Sequence, residues 1–149
     1  MEPATAIPSE LMVHIYKETL IEAPASIVWD VLIEQSGPGL SSLDGKPMNL
    51  KLEAWPGGRW FRDLGNNTGH LWGHVQVIKP PTLLELNGPM FMSYPVISHV
   101  QYRLTEKGNS TLLALTHRVL GEMTAEHRQG ANRGWEQILA NIKARARKK

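Results

Sequence analysis

From residue 14 to residue 21 polar and apolar residues alternate, with β-branched members, which predicts a strand. Ala23-Pro24 ends it, because proline cannot donate to a ladder. The period then changes: Ile27, Val28, Val31 and Leu32, set against Asp30 and Glu34, have the spacing of a short amphipathic helix opened near Pro24 and stopped before Gly37-Pro38-Gly39. Alternation returns over 48–55, and Pro56-Gly57-Gly58 supplies a tight turn into Arg59-Trp60-Phe61-Arg62, which makes a hairpin. Gly65-Asn66-Asn67-Thr68-Gly69 is dense in residues that tolerate positive φ, and a strand-like run over 70–78 follows it before the break at Pro80-Pro81. A short strand over 83–87 leads to Gly88-Pro89. A long alternating run over 96–104 then turns through Lys107-Gly108-Asn109-Ser110 into 111–119, giving about seven strands in series.

The last segment, 124–149, has no proline and places Ala131, Trp135, Ile138, Leu139 and Ile142 on one helix face. A helix of about 24 residues spans about 36 Å. No βαβ rhythm appears, so the expected class is α+β, with a curved antiparallel sheet of about six to seven strands wrapped around the long C-terminal helix. At 149 residues one domain is expected over 1–149, with 1–12 as a flexible start and 143–149 as a basic tail.

Composition narrows the chemistry. Without cysteine there are no disulfides, thiolate nucleophiles or Cys-based zinc sites. No run approaches the roughly 18 apolar residues that span a bilayer, and residues 1–10 lack a basic segment before an apolar one, so a cytoplasmic protein is expected. The net charge of +2 hints at nucleic acid until it is located. Lys143, Arg145, Arg147, Lys148 and Lys149 hold five of the 16 basic residues, which leaves 11 basic against 14 acidic groups in the body, a balance of −3. The tail has no aromatic residue and sits where a helix dipole favours positive charge, so no specific nucleic-acid site is expected.

Ile21-Glu22-Ala23-Pro24 with Val28-Trp29-Asp30-Val31-Leu32, Pro56-Gly57-Gly58-Arg59-Trp60, Gly73-His74-Val75, Leu113-Ala114-Leu115-Thr116-His117 and Gly134-Trp135 form an ordered set over about residues 14–142. The set resembles the START-like, or SRPBCC, superfamily, in particular bacterial proteins related to the C-terminal domain of the activator of the ninety-kilodalton heat-shock protein's ATPase. The resemblance implies a helix-grip fold with a cavity between sheet and long helix, used in that superfamily for lipids, hormones and polyketides and occasionally for catalysis. It also implies an alternative as a co-chaperone-like interaction module in the stress response, with apolar surface around residues 89–95 as the contact. A polyketide cyclase-type enzyme is the second alternative. The chain departs from the family at 36–43, where members often carry a Trp-containing segment.

Strand parity selects the candidate ligand-binding residues: Trp60, Val75, Tyr102, Leu115 and His117 from the sheet, Trp135 and Ile138 from the helix, and Met90 and Met92 near the mouth. Gly134 beside Trp135 is expected to permit close approach to the sheet. His117 reads either as a hydrogen-bonded core or rim histidine or as a polar handle on a ligand. Five Trp, six Met and three Tyr exceed what a core of this size easily fills, which an open cavity would explain. His70 and His74 do not suggest a metal site, since residues four apart on a strand stand about 13 Å from each other. Asp30 and Glu34 read as a solvated pair. No nucleophile elbow, phosphate loop or His-Glu-x-x-His motif is present, so no catalytic residue, metal or cofactor is assigned. The expected partner is an apolar small molecule or another protein, bound by a monomer or homodimer.

Overall fold

The first alternating run forms β1 (Met12–Ile21) in a computed structural model that describes residues 11–42, 44–93 and 95–149. The expectations for residues 1–10, Leu43 and Tyr94 lie outside those residues. After β1 come α1 (Ala25–Gln35), β2 (Leu50–Leu52), β3 (Arg59–Gly65), β4 (Thr68–Lys79), β5 (Leu83–Gly88), β6 (Val96–Lys107), β7 (Ser110–Gly121) and α2 (Ala125–Ala146). Asn66 and Asn67 take positive φ in the β3–β4 turn, as Gly108 does between β6 and β7. Thr124 caps α2 by accepting the His127 backbone N–H at 3.2 Å.

The seven strands form one antiparallel sheet in the order β1-β7-β6-β5-β4-β3-β2. Strands β2 to β7 follow one another as neighbours, and β1 closes the far edge by pairing with β7. The chain between β1 and β2 must therefore cross from one edge of the sheet to the other, and it carries α1 over the inner face on the way. Helix α1 touches β6 and β7, and α2 lies against α1 and β1. This is the helix-grip α+β fold.

Alternation puts Val100, Tyr102 and Leu104 of β6 and Leu113, Leu115 and His117 of β7 into the core, while Tyr16, Leu20, Ile97 and Leu120 are exposed outside it. Strand β2 is shorter than the alternation suggests, because it is an edge strand paired only with β3, and the chain beyond it turns out to an exposed Trp55. Among the described residues no helix is long and apolar enough to cross a membrane.

One departure from simple alternation shapes the inner face. Strand β4 shifts register against β3 between Trp60 and Phe61, and against β5 between Val75 and Val77. The first shift makes Trp72 the extra residue of a bulge and turns it inward, although a straight strand would group it with the exposed His70 and His74. The β4 and β5 backbones almost touch there. A Cβ on Gly73 would stand 1.9 Å from the Asn87 carbonyl oxygen, and one on Gly88 2.3 Å from that of Trp72. Gly73→Ala is expected to destabilise the fold by about 1–3 kcal/mol, the usual cost of forcing extra atoms into a closed site. Urea unfolding checks this, and a change below about 0.5 kcal/mol, the scatter of neutral surface substitutions, would mean that the crossing opens freely.

Candidate functional site

The inner face carries two groups of large side chains. In the first, Tyr102 from β6, His117 from β7 and Trp135 from α2 meet ring to ring, with centroids 6.1 Å apart for Tyr102–Trp135 and 5.3 Å for His117–Trp135. Trp135 Nε1–H donates to His117 Nδ1 at 2.8 Å, and His117 Nε2 lies 3.0 Å from Ser98 Oγ. An indole nitrogen can only donate, so Nδ1 must be the acceptor and the neutral ring carries its proton on Nε2. His117 therefore donates to Ser98 and is in the wrong tautomer to take a proton from that hydroxyl. Burial lowers the His117 pKa from 6.5 to about 4, in favour of the neutral ring. Burial likewise pushes the Tyr102 phenol far above its ordinary value, and a hydrogen bond with the Ser36 side chain opposes it only in part.

The second group stands where β4 bulges. Trp60 donates its Nε1–H to the Ser36 carbonyl at 2.8 Å, and its ring meets Trp72 edge to face at 5.2 Å. Trp72 meets Phe91 at 6.0 Å, and Phe91 meets His127 of α2 at 5.8 Å. The Met90 backbone N–H donates to the Trp72 carbonyl at 2.8 Å, which ties the loop after β5 to the bulge. Met90 and Met92 are buried in the same cluster as Trp60 and Trp72, while Phe91 between them is 46% exposed. The apolar surface expected around 89–95 thus reduces to Phe91 and Pro95, with Pro89 half-buried, among the described residues.

The structure brings Trp60, Val75, Tyr102, Leu115 and Trp135 into one buried cluster, and the buried His117 joins it through its contact with Trp135. Ile138 is only half-buried at its edge. Helix α2 buries Trp135, Leu139, Ile142 and Ala146, all from its midpoint onward. A Cβ on Gly130 or Gly134 would meet nothing within 4 Å, so Gly134 does not serve close approach as the sequence suggested. Much of the aromatic excess is absorbed by ring-to-ring packing and by the two indole hydrogen bonds, with no open space around those rings required. Open depressions lie elsewhere, one along Glu34, Asn141 and Arg145 and one along Asn49, Lys51 and Asp63. Asp30 and Glu34 are exposed on α1. Trp72, which sequence parity missed, sits among these residues; Gly73 inside the strand was the signal of a bulge.

Solved structures share this architecture. A protein from Rhizobium leguminosarum has 16% identity and a TM-score of 0.70, with 93% of this chain and 96% of that one covered. A protein from Chromobacterium violaceum has 14% identity and a TM-score of 0.71, with 90% and 96% covered. CalU16 from Micromonospora echinospora has 23% identity and a TM-score of 0.63, with 89% and 75% covered. These likenesses concern the fold. Among curated proteins, none matches the chain in sequence. Residues 22–147, from the end of β1 through the whole of α2, match the family described as Activator of Hsp90 ATPase homolog 1-like protein, and the chain belongs to that family within the START-like superfamily.

Proposed function

We propose that the chain binds an apolar small molecule against the inner sheet face, under the N-terminal half of α2. The observation that carries this reading is the contrast along α2. From Trp135 onward it is sealed by Trp135, Leu139, Ile142 and Ala146, whereas no residue before Trp135 is buried and Ala131, on the same stripe, is only partly so. The neighbouring wall is Trp60, Trp72, Met90 and Met92, linked to α2 through Phe91 and His127. Thioether side chains repack around ligands of irregular shape, and an apolar wall with few polar groups is the usual lining of a small-molecule site. Val75, Tyr102, Leu115, His117, Trp135 and Ile138 form the floor and far side. The locked tautomer of His117 favours a structural role for it over acid–base work, so the reading assigns no chemical step, metal or cofactor. A structural neighbour, DynU16, is described as a protein of the dynemicin biosynthetic locus; it has 17% identity, a TM-score of 0.59 and 46% of its length covered, and lends support to a small-molecule setting. The protein would act in the cytoplasm as a monomer or homodimer.

The family's own description favours a second reading, a co-chaperone-like interaction module, for which the exposed Phe91 would be a contact. Titration with a neutral hydrophobic fluorophore separates the two. Saturable energy transfer from tryptophan, with affinity altered several-fold by Trp60→Ala and by Tyr102→Ala in variants that still melt cooperatively, is the expected result. Unsaturated binding, or binding indifferent to both variants, would mean surface adsorption. Native mass spectrometry of the purified protein adds an independent check: a retained small molecule supports binding, and a bare mass with a tight protein partner supports the module.

A further inference from the structure

Besides Trp29 of α1, three indoles are buried in the two ring groups, and two of these three are paired: Trp60 with the Ser36 carbonyl and Trp135 with His117 Nδ1. The third is not. Trp72 is 4% exposed, and its Nε1–H has no hydrogen-bond partner among the described residues. Folded proteins pair nearly all such donors, because an unpaired one loses its hydration and gains nothing in return. Nor is the ring free to turn and find a partner. Trp60 and Phe91 pack against it edge to face, the Met90 N–H holds its carbonyl, and the glycine contacts at 73 and 88 fix its backbone.

We infer that the molecule held in this site carries a neutral hydrogen-bond acceptor, a carbonyl or ether oxygen on an otherwise apolar body, and that Trp72 Nε1–H receives that oxygen. The inference rests on the binding reading above and names its ligand class. An indole nitrogen donates and never accepts, so its complement is an acceptor atom. Charge narrows the class further. The buried polar side chains among the described residues are Gln35, Ser36, Ser98, Thr111 and His117, with no lysine or arginine, so a carboxylate would be buried without a counter-charge. The flanking rings of Trp60 and Phe91 suit a flat aromatic body, and Met90 and Met92 can shift to admit it.

Three ligands of nearly equal shape test this: 2-acetylnaphthalene, 2-isopropenylnaphthalene and 2-naphthoate, titrated into the full chain and into Trp72→Phe, which keeps a ring and removes the N–H. The wild-type protein is expected to bind the ketone about tenfold more tightly than the hydrocarbon, one net hydrogen bond's worth, and the carboxylate most weakly. In Trp72→Phe the ketone's advantage is expected to vanish. On wild-type protein the ketone, and not the hydrocarbon, is expected to move one indole N–H resonance downfield, so the test survives if the variant fails to fold. Saturable binding of ketone and hydrocarbon with equal affinity, or a preference that persists in Trp72→Phe, overturns the acceptor inference and leaves the binding reading standing. Saturable binding of none of the three overturns both.

Discussion

Trp135→Ala is expected to lower the free energy of unfolding by about 3–5 kcal/mol, the range for truncating a buried indole. Trp135 begins the buried row that Leu139, Ile142 and Ala146 continue, and it is the point at which α2 touches both Tyr102 and His117. Truncation removes the ring contacts and leaves a void that its neighbours cannot fill, since Gly134 has no side chain and Leu139 is already buried a turn further on. It also strips His117 Nδ1 of its donor, which leaves a buried acceptor unpaired. Trp135→Phe separates the two effects, because it keeps most of the ring and loses the N–H. Urea unfolding of both variants measures the difference. A loss under about 1 kcal/mol for the alanine variant would mean that α2 contributes little to the fold.

The parts of this architecture that depend on local periodicity were readable in the sequence. Thr111, Leu113, Leu115 and His117 share a face because the side-chain period of a strand is two, and all four are buried. Trp135, Leu139 and Ile142 follow the helical period and are buried as well, but Ala131 and Ile138, on the same stripe, are only partly buried. Periodicity says which face of a helix is apolar and not how far along its axis that face meets a partner. The pairing of β1 with β7 joins residues about a hundred positions apart, and no local pattern encodes it. Trp72 was missed for a different reason. Its parity counts outward from His70, and a single extra residue against β3 reverses it. The bulge that hid Trp72 from the sequence is also what places its indole in the candidate site.

Lowering the pH from 7 to 4 is expected to remove about 3 kcal/mol of stability through His117 alone. Its pKa is 6.5 in the unfolded chain and about 4 in the fold because of burial, a gap of about 2.5 units at about 1.36 kcal/mol each. The direction follows from proton counts. Between those two values the unfolded chain holds a proton on this ring that the folded protein does not, so stability is full above pH 6.5 and falls as the pH drops toward 4. The groups directly bonded to the ring, Ser98 and Trp135, do not titrate in that range, and the buried Tyr102 phenol stays protonated throughout. Protonation would give the ring a second N–H facing the donor of Trp135, so the Trp135 bond breaks as the charge appears. Carboxylates add losses in the same direction at lower pH, since Arg59 holds Glu53 down to about 2 and Lys51 holds Asp63 below its ordinary value. The interval from pH 6.5 to 5 therefore lies above those carboxylate losses. Over that interval His117→Gln is expected to unfold in urea with a nearly flat pH dependence, whatever its absolute stability, while the wild-type midpoint falls. A wild-type slope that persists in His117→Gln would assign the acid sensitivity to other groups, and ring-nitrogen NMR at pH 7 that found the proton on Nδ1 would remove its structural basis.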